Sequence, residues 1–208
     1  MKKILAGLMA FGMSICVFSC SDNKKTDDVP EESPTQEKNI EEIYPEIAES
    51  LKNYISDGDY DGLLELYYPF DVLETAKTIA EIEGVDYLEY SELYEMYDDS
   101  DIADIHIDEV ISVEPLDSEI LEEINYDFSG VYALAEYIEK TGIENITPET
   151  LYEKYMEDWS VSTTITKGYE IKSTATMTYK NGKTETGLQA TSQLYYVDGE
   201  GWKIYADE

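Results

Sequence analysis

The chain has 208 residues, with 47 Asp and Glu against 14 basic residues, all of them Lys, and a formal net charge of −33. That balance excludes nucleic acid as a partner, because the Lys/Arg neutralisation of phosphates that drives such binding is missing. One His and two Cys leave little conventional metal or redox chemistry, while 42% apolar residues including 19 Tyr are too many for a disordered acidic chain.

The N-terminus reads first. Met1, Lys2 and Lys3 form a positive segment, and Ile4 to Phe18 form an uncharged apolar run, shorter than a bilayer-spanning helix. The run ends in Val17-Phe18-Ser19-Cys20, after which Ser21, Asp22, Asn23, Lys24 and Lys25 are polar. This resembles the lipobox of bacterial lipoproteins, and the resemblance implies cleavage after Ser19 with a diacylglycerol thioether on Cys20. Cys16 is the poorer anchor, since the β-branched Ile15 precedes it where the peptidase wants a small residue. Residues 1–19 are thus expected to be a lipoprotein signal peptide. With Cys16 discarded and Cys20 acylated, the mature chain has no free thiol, no disulfide and a charge of −35 from 12 Lys and 47 acids. Two acyl chains are about the minimum for stable anchoring. The expectation is therefore a tethered protein outside the cytoplasm that does not span the membrane. Residues 20–39 carry Pro30, Pro34 and alternating charges with a single aliphatic, Val29, and read as the lipidated Cys and a disordered acidic linker. As a flexible coil it reaches roughly 25 Å.

Residues 40–208 are expected to form one domain. Ile40, Ile43, Ile47, Leu51, Tyr54 and Ile55 repeat at helical spacing, with Pro45 placed in the first turn. Asp57-Gly58 breaks the run, and Asp59 caps a short helix that Pro69 ends. Asp71 is expected to cap a third helix that stops at Gly84, and a fourth runs from about Asp86 to Asp98 with a stripe of Tyr87, Tyr90, Tyr94 and Tyr97. Strand character follows at 102–114, where Ile105, Ile107, Ile111 and Val113 share one parity that predicts a common core face. Asp117 then caps a short helix to Ile124, Val131 to Ile138 define another, and Thr147-Pro148-Glu149 starts a third, so that residues 125–157 look like a helical insertion.

The C-terminal third is a meander. Asn181-Gly182 predicts a two-residue hairpin turn, pairing Tyr179 with Thr184, Met177 with Thr186, Ala175 with Leu188, Ser173 with Ala190, Ile171 with Ser192 and Tyr169 with Leu194. In that register the apolar residues of one strand share a face, while Thr174, Thr176, Thr178, Gln189, Thr191 and Gln193 take the other. A turn at Asp198-Gly199-Glu200-Gly201 brings Trp202 and Ile204 onto the face of Tyr196 and Leu194 when five residues, 197–201, make the connection or when it contains a bulge.

The predicted fold class is α+β, with N-terminal helices packed on a curved antiparallel sheet, a half-cone. Three segments, I-S-D-G-D-Y-D-G-L-L-E-L-Y (55–67), T-K-G-Y-E-I-K (166–172) and V-D-G-E-G-W-K-I-Y (197–205), carry a resemblance to the nuclear transport factor two-like (cystatin-like) superfamily. The form it resembles is that of secreted lipoproteins of Gram-positive gut bacteria. That resemblance implies a curved sheet wrapped on a helix, with a pocket used for binding, dimerisation or, in some members, catalysis, and an insertion that covers or reshapes the mouth of the cone.

Four groups of residues are candidates for function. Asp57, Asp59 and Asp61 match the first half of a calcium loop, but position 12, which needs a bidentate Glu, is Tyr68. Asp98, Asp99 and Asp101 form another acidic cluster for weak calcium. His106 lies between Asp104 and Asp108, an arrangement that would charge an imidazole, yet its parity opposes that of the core isoleucines. On the concave sheet face, small Ser173, Ala175 and Ala190 sit amid Tyr169, Met177, Leu194 and Tyr196. That pattern leaves either a ligand pocket or a seat for a helix. The functional expectation is a lipid-anchored, non-enzymatic binding or interaction module at the cell surface, without cofactor, whose partner is a small molecule, glycan or protein. The alternatives are a pocket enzyme using His106 or a buried acid, and a weak calcium-binding structural module.

Overall fold

A computed structural model of the chain describes residues 39–86, 102–157, 159–161 and 164–205. The architecture is α+β: helices α1 (Ile40–Asp57), α2 (Tyr60–Tyr67) and α3 (Phe70–Glu83), strand β1 (Ile102–Pro115), helices α4 (Ser118–Thr141) and α5 (Pro148–Tyr155), then strands β2 (Gly168–Tyr179), β3 (Thr184–Val197) and β4 (Gly201–Tyr205). The four strands make one open antiparallel sheet in the order β1-β2-β3-β4. The Tyr stripe from Tyr87 to Tyr97 and the acids Asp98, Asp99 and Asp101 lie outside the described residues.

Asn39 caps α1, accepting from Glu41 N. Pro45 sits inside the helix, one turn deeper than its missing N–H suggested, and is exposed. The helix lays Ile40, Tyr44 and Ile47 against Ile171 and Leu194 of the sheet, with Ile107, Val110 and Val113 beside them. Burying each large apolar side chain contributes about 1.5–3 kcal/mol, which fixes this helix to this face.

Strand β1 bends to follow that helix. Three register shifts against β2, between Ile102/Asp104, Ile107/Glu109 and Val110/Ser112, insert extra residues into the edge strand, and such bulges increase twist and curvature. They also break the predicted parity. Val110, not Ile111, joins Ile107 and Val113 against α1, and Ile111 is 55% exposed.

The β2–β3 pairing follows the predicted register from Tyr169↔Leu194 to Ala175↔Leu188 and departs from it at the tip. There the pairs are Met177↔Glu185 and Thr178↔Thr184, so Tyr179 does not face Thr184 and Met177 does not face Thr186. The turn is three residues, Lys180-Asn181-Gly182, closed by Tyr179 N donating to Lys183 O at 2.8 Å, with Gly182 at φ 82°. An extra residue at Thr186-Gly187, with Gly187 at φ 68°, restores the register. Farther on, Tyr196↔Trp202 and Leu194↔Ile204 pair as the five-residue connection required.

The opposite face of the sheet carries the larger core, built from α2, α3, α4 and α5 around Tyr195, Leu116 and Ile165. Polar side chains of β3 and β4 fasten the α2–α3 corner there. Tyr195, fully buried, donates its hydroxyl to Tyr67 O at 2.6 Å, and Lys203 donates to Glu65 O at 2.8 Å, satisfying two carbonyls at the end of α2. Glu200 accepts from Phe70 N at 2.9 Å and pairs with Lys203 at 3.1 Å. A carboxylate at a helix start and an ammonium at a helix end both complement the helix dipole. Helix α3 therefore starts at Phe70 after Pro69 with its cap supplied from the β3–β4 loop, and Asp71, expected as the cap, lies in the first turn.

Between β1 and β2 the chain makes one 24-residue helix, α4, where two were expected, and a second helix α5. Asp117 caps the first and Thr147 the second, with Pro148 at its first position. Helix α4 continues through Asn125-Tyr126-Asp127 because Asn125 is 3% exposed and fully employed. Its amide donates to Leu121 O and Ile165 O, both at 2.7 Å, and its oxygen accepts from Thr164 N (2.7 Å) and Ile165 N (2.8 Å). The side chain ties the returning strand segment to the helix. Phe128, one turn on, packs its ring 5.7 Å from that of Tyr195, so the excursion sits on the Tyr195 side of the sheet, away from α1.

Candidate functional site

The concave face is occupied. Ser173, Ala175 and Leu194 are buried there beneath α1, and the Tyr44 hydroxyl fills the space left by the small residues, sharing hydrogen bonds with Ser173 Oγ (3.3 Å) and Ser192 Oγ (2.9 Å). Met177 and Ala190 lie half-buried on the same sheet. Tyr169 and Tyr196 belong to an aromatic cluster at the other end, against Trp202, whose ring lies 5.4 Å from Tyr169 and 5.2 Å from Tyr196. The Lys167 ammonium rests 5.2 Å from the Trp202 centroid and 5.4 Å from that of Tyr196. These rings face one another and a cation, and all three are half-buried.

The acidic candidates are spent locally. Asp59 caps α2 by accepting from Gly62 N at 3.0 Å, and Gly58, at φ 66°, closes α1. Asp57 ends α1 and Asp61 lies in the first turn of α2. Among the described residues no group of three or more His, Cys, Asp or Glu is arranged to hold a metal. His106 stands opposite Thr176 on the sheet, exposed, while Asp108 accepts from the Thr176 hydroxyl at 2.9 Å. Asp104 turns to Lys52 of α1 at 2.9 Å, and that bond raises the ammonium's pKa. The pair borders a small cavity lined by Ile55, Ser56, Ile102 and Ile105, with room of about 20 Å³, enough for a water.

A different surface stands out on the excursion. Tyr126, Tyr152, Met156 and Val161 are 55%, 42%, 63% and 50% exposed. Beside one of them lies a half-buried indole: the Trp159 ring is 5.5 Å from that of Tyr155 and 6.5 Å from that of Tyr126. Tyr152, Tyr155 and Met156 share one flank of α5 by their i, i+3 and i, i+4 spacing. Gly130 lets the indole lie against α4, since a Cβ there would meet Trp159 Cζ2 at 2.9 Å. Burial, and then the neighbouring Tyr126 and Asp127, push the Tyr155 hydroxyl above its ordinary pKa, so the ring carries a neutral, donating phenol. Trp159 Nε1 is covered and finds no acceptor among the described residues.

None of these residues was singled out from sequence, although one signal was available. The eight-residue α5 buries only Leu151 fully, and Tyr152 with the following Met156 is left exposed. No helix among the described residues is long and apolar enough to cross a membrane. No family model, no curated protein and no solved structure matches the chain.

Proposed function

We propose that the chain is a lipid-anchored extracytoplasmic lipoprotein of the cone-fold type, whose folded domain is a non-enzymatic binding module. The N-terminal pattern ending at Cys20 supports the anchoring, and the α+β order of helices and open sheet supports the family likeness. One observation carries the binding half. Of the seven large apolar side chains that stand exposed among the described residues, five (Tyr126, Ile143, Tyr152, Met156 and Val161) lie on the excursion between β1 and β2, and Tyr126 stands with Tyr155 beside the Trp159 ring. Single exposed apolar residues are ordinary, but clustered ones mark interaction surfaces. Aromatic and Met side chains are also the types enriched at the centres of such surfaces.

Fractionation tests the anchoring. The parent protein should sediment with membranes and need detergent for release, and its mature N-terminus should carry the mass of an acylated Cys20. The Cys20→Ser protein should appear in the soluble fraction. Equal partitioning of the two would overturn the anchoring.

A further inference from the structure

We infer that the Trp159 surface docks a cationic, apolar protein segment, one presenting large aliphatic or aromatic side chains flanked by Lys or Arg. The inference rests on reading the domain as a binding module and names the chemistry of its partner. The apolar centre is the Trp159 indole with Tyr126 and Tyr155 beside it, and the exposed Met156 follows Tyr155 in the chain. The rim is acidic. Glu122 lies one turn before Tyr126 on α4, and Glu149 and Glu153 fall at helical spacing beside Tyr152 and Met156 on α5. Glu122 and Glu153 are exposed. The two lysines of the excursion add no counterweight, because Lys140 is held by Glu136 and Lys154 by Glu157 at 2.7 Å.

A neutral apolar partner pressed onto this surface would strip water from the rim carboxylates and return nothing for it, a desolvation cost that weakens binding. Ammonium or guanidinium groups on the partner would compensate those carboxylates and could also stack on the exposed ring of Tyr126. A second copy of this chain, itself at −33, fails the same criterion by repulsion. An anionic lipid headgroup fails it equally.

The test uses the full-length, detergent-solubilised protein and three end-blocked 14-residue amphipathic peptides, made of Leu with Lys, Leu with Gln, and Leu with Glu. The Leu/Lys peptide should bind at least tenfold more tightly than the Leu/Gln peptide, weaken as salt rises, and bind at least tenfold more weakly to the doubly substituted Tyr126→Ser, Met156→Ser protein. Both substituted side chains are exposed, so an unchanged melting temperature certifies the fold. The Glu122→Gln, Glu153→Gln protein should lose about threefold, with a shallower salt dependence. Equal binding of Leu/Lys and Leu/Gln peptides, both abolished by the double substitution, would leave a binding surface but overturn its preference for cations. Unchanged Leu/Lys binding by the doubly substituted protein would assign the attraction to the net charge of the whole chain and overturn the surface itself. Cosedimentation with neutral phosphatidylcholine vesicles, lost on the same substitution, would assign the surface to lipid and overturn the inference.

Discussion

The α1 face of the sheet and the α4–α5 excursion are made of similar material, aromatic rings and aliphatics among small residues, and end in opposite states. On the sheet the small residues admit a neighbour. Tyr44 descends between Ser173 and Ser192 and both its flanks are packed, so Ile171 and Leu194 have no exposure left. On the excursion a two-turn helix with one buried residue, Leu151, cannot supply an opposing layer, and Tyr126, Tyr152 and Met156 remain in water. The lesson is that small residues amid aromatics create a pocket only if no helix of the same chain has the length and pattern to fill it. Here the 18-residue α1 has both.

Substitutions should separate the two regions by size of effect. Ile171→Ala, at a fully buried position between α1 and the sheet, should cost about 2–5 kcal/mol by denaturant titration, whereas Met156→Ala should stay within about 0.5 kcal/mol. Comparable losses at both positions would erase the contrast. Asn125→Ala should follow, at about 2–4 kcal/mol, because it strands the Thr164 and Ile165 amides and the Ile165 carbonyl that the side chain now satisfies. A loss no greater than that of an exposed residue would deny Asn125 its role as the clasp. Tyr44→Phe keeps the ring and removes the hydroxyl that Ser173 and Ser192 share, for about 1 kcal/mol. Gly130→Ala should leave stability within about 1 kcal/mol yet displace the indole, read as a red shift in Trp159 emission. An unshifted spectrum would show that the ring does not rest on α4.

The smallest expected effect is electrostatic. Both carboxylate oxygens of Glu83, at the end of α3, are covered and find no hydrogen-bond partner among the described residues, and burial raises the pKa. An acid whose pKa is higher folded than unfolded favours the folded state while protonated, so its contribution declines as pH rises from the ordinary carboxylate value through the raised one. Glu83→Gln should therefore raise the melting temperature at pH 7 and leave it nearly unchanged at pH 4. A lower melting temperature at pH 7 would contradict that sign.

Much of the sheet was legible because its signals are local: a turn sequence, alternation and a parity that survives. The Tyr196↔Trp202 pairing and the middle of the β2–β3 register follow from these alone. What escaped depended on single extra residues or on distant partners. Gly187 and the three shifts in β1 are bulges, which alternation conceals, and Ile111 consequently points away from the core. The continuity of α4 through Asn125 depends on carbonyl and amide groups 40 residues away at Ile165, which no helical periodicity encodes. The cap of α3 likewise comes from Glu200, at the far end of the chain. The Gly-Glu-Gly-Trp-Lys stretch thereby acquires a structural task, the fastening of the α2–α3 corner by Glu200 and Lys203.

The chain holds two tryptophans, one in each region, so the location of binding can be read directly. In the Trp202→Phe protein the emission of Trp159 should shift to the blue and saturate on titration with the Leu/Lys peptide, while in the Trp159→Phe protein Trp202 should stay silent. A saturating shift at Trp202 with none at Trp159 would place binding at the sheet and contradict the account.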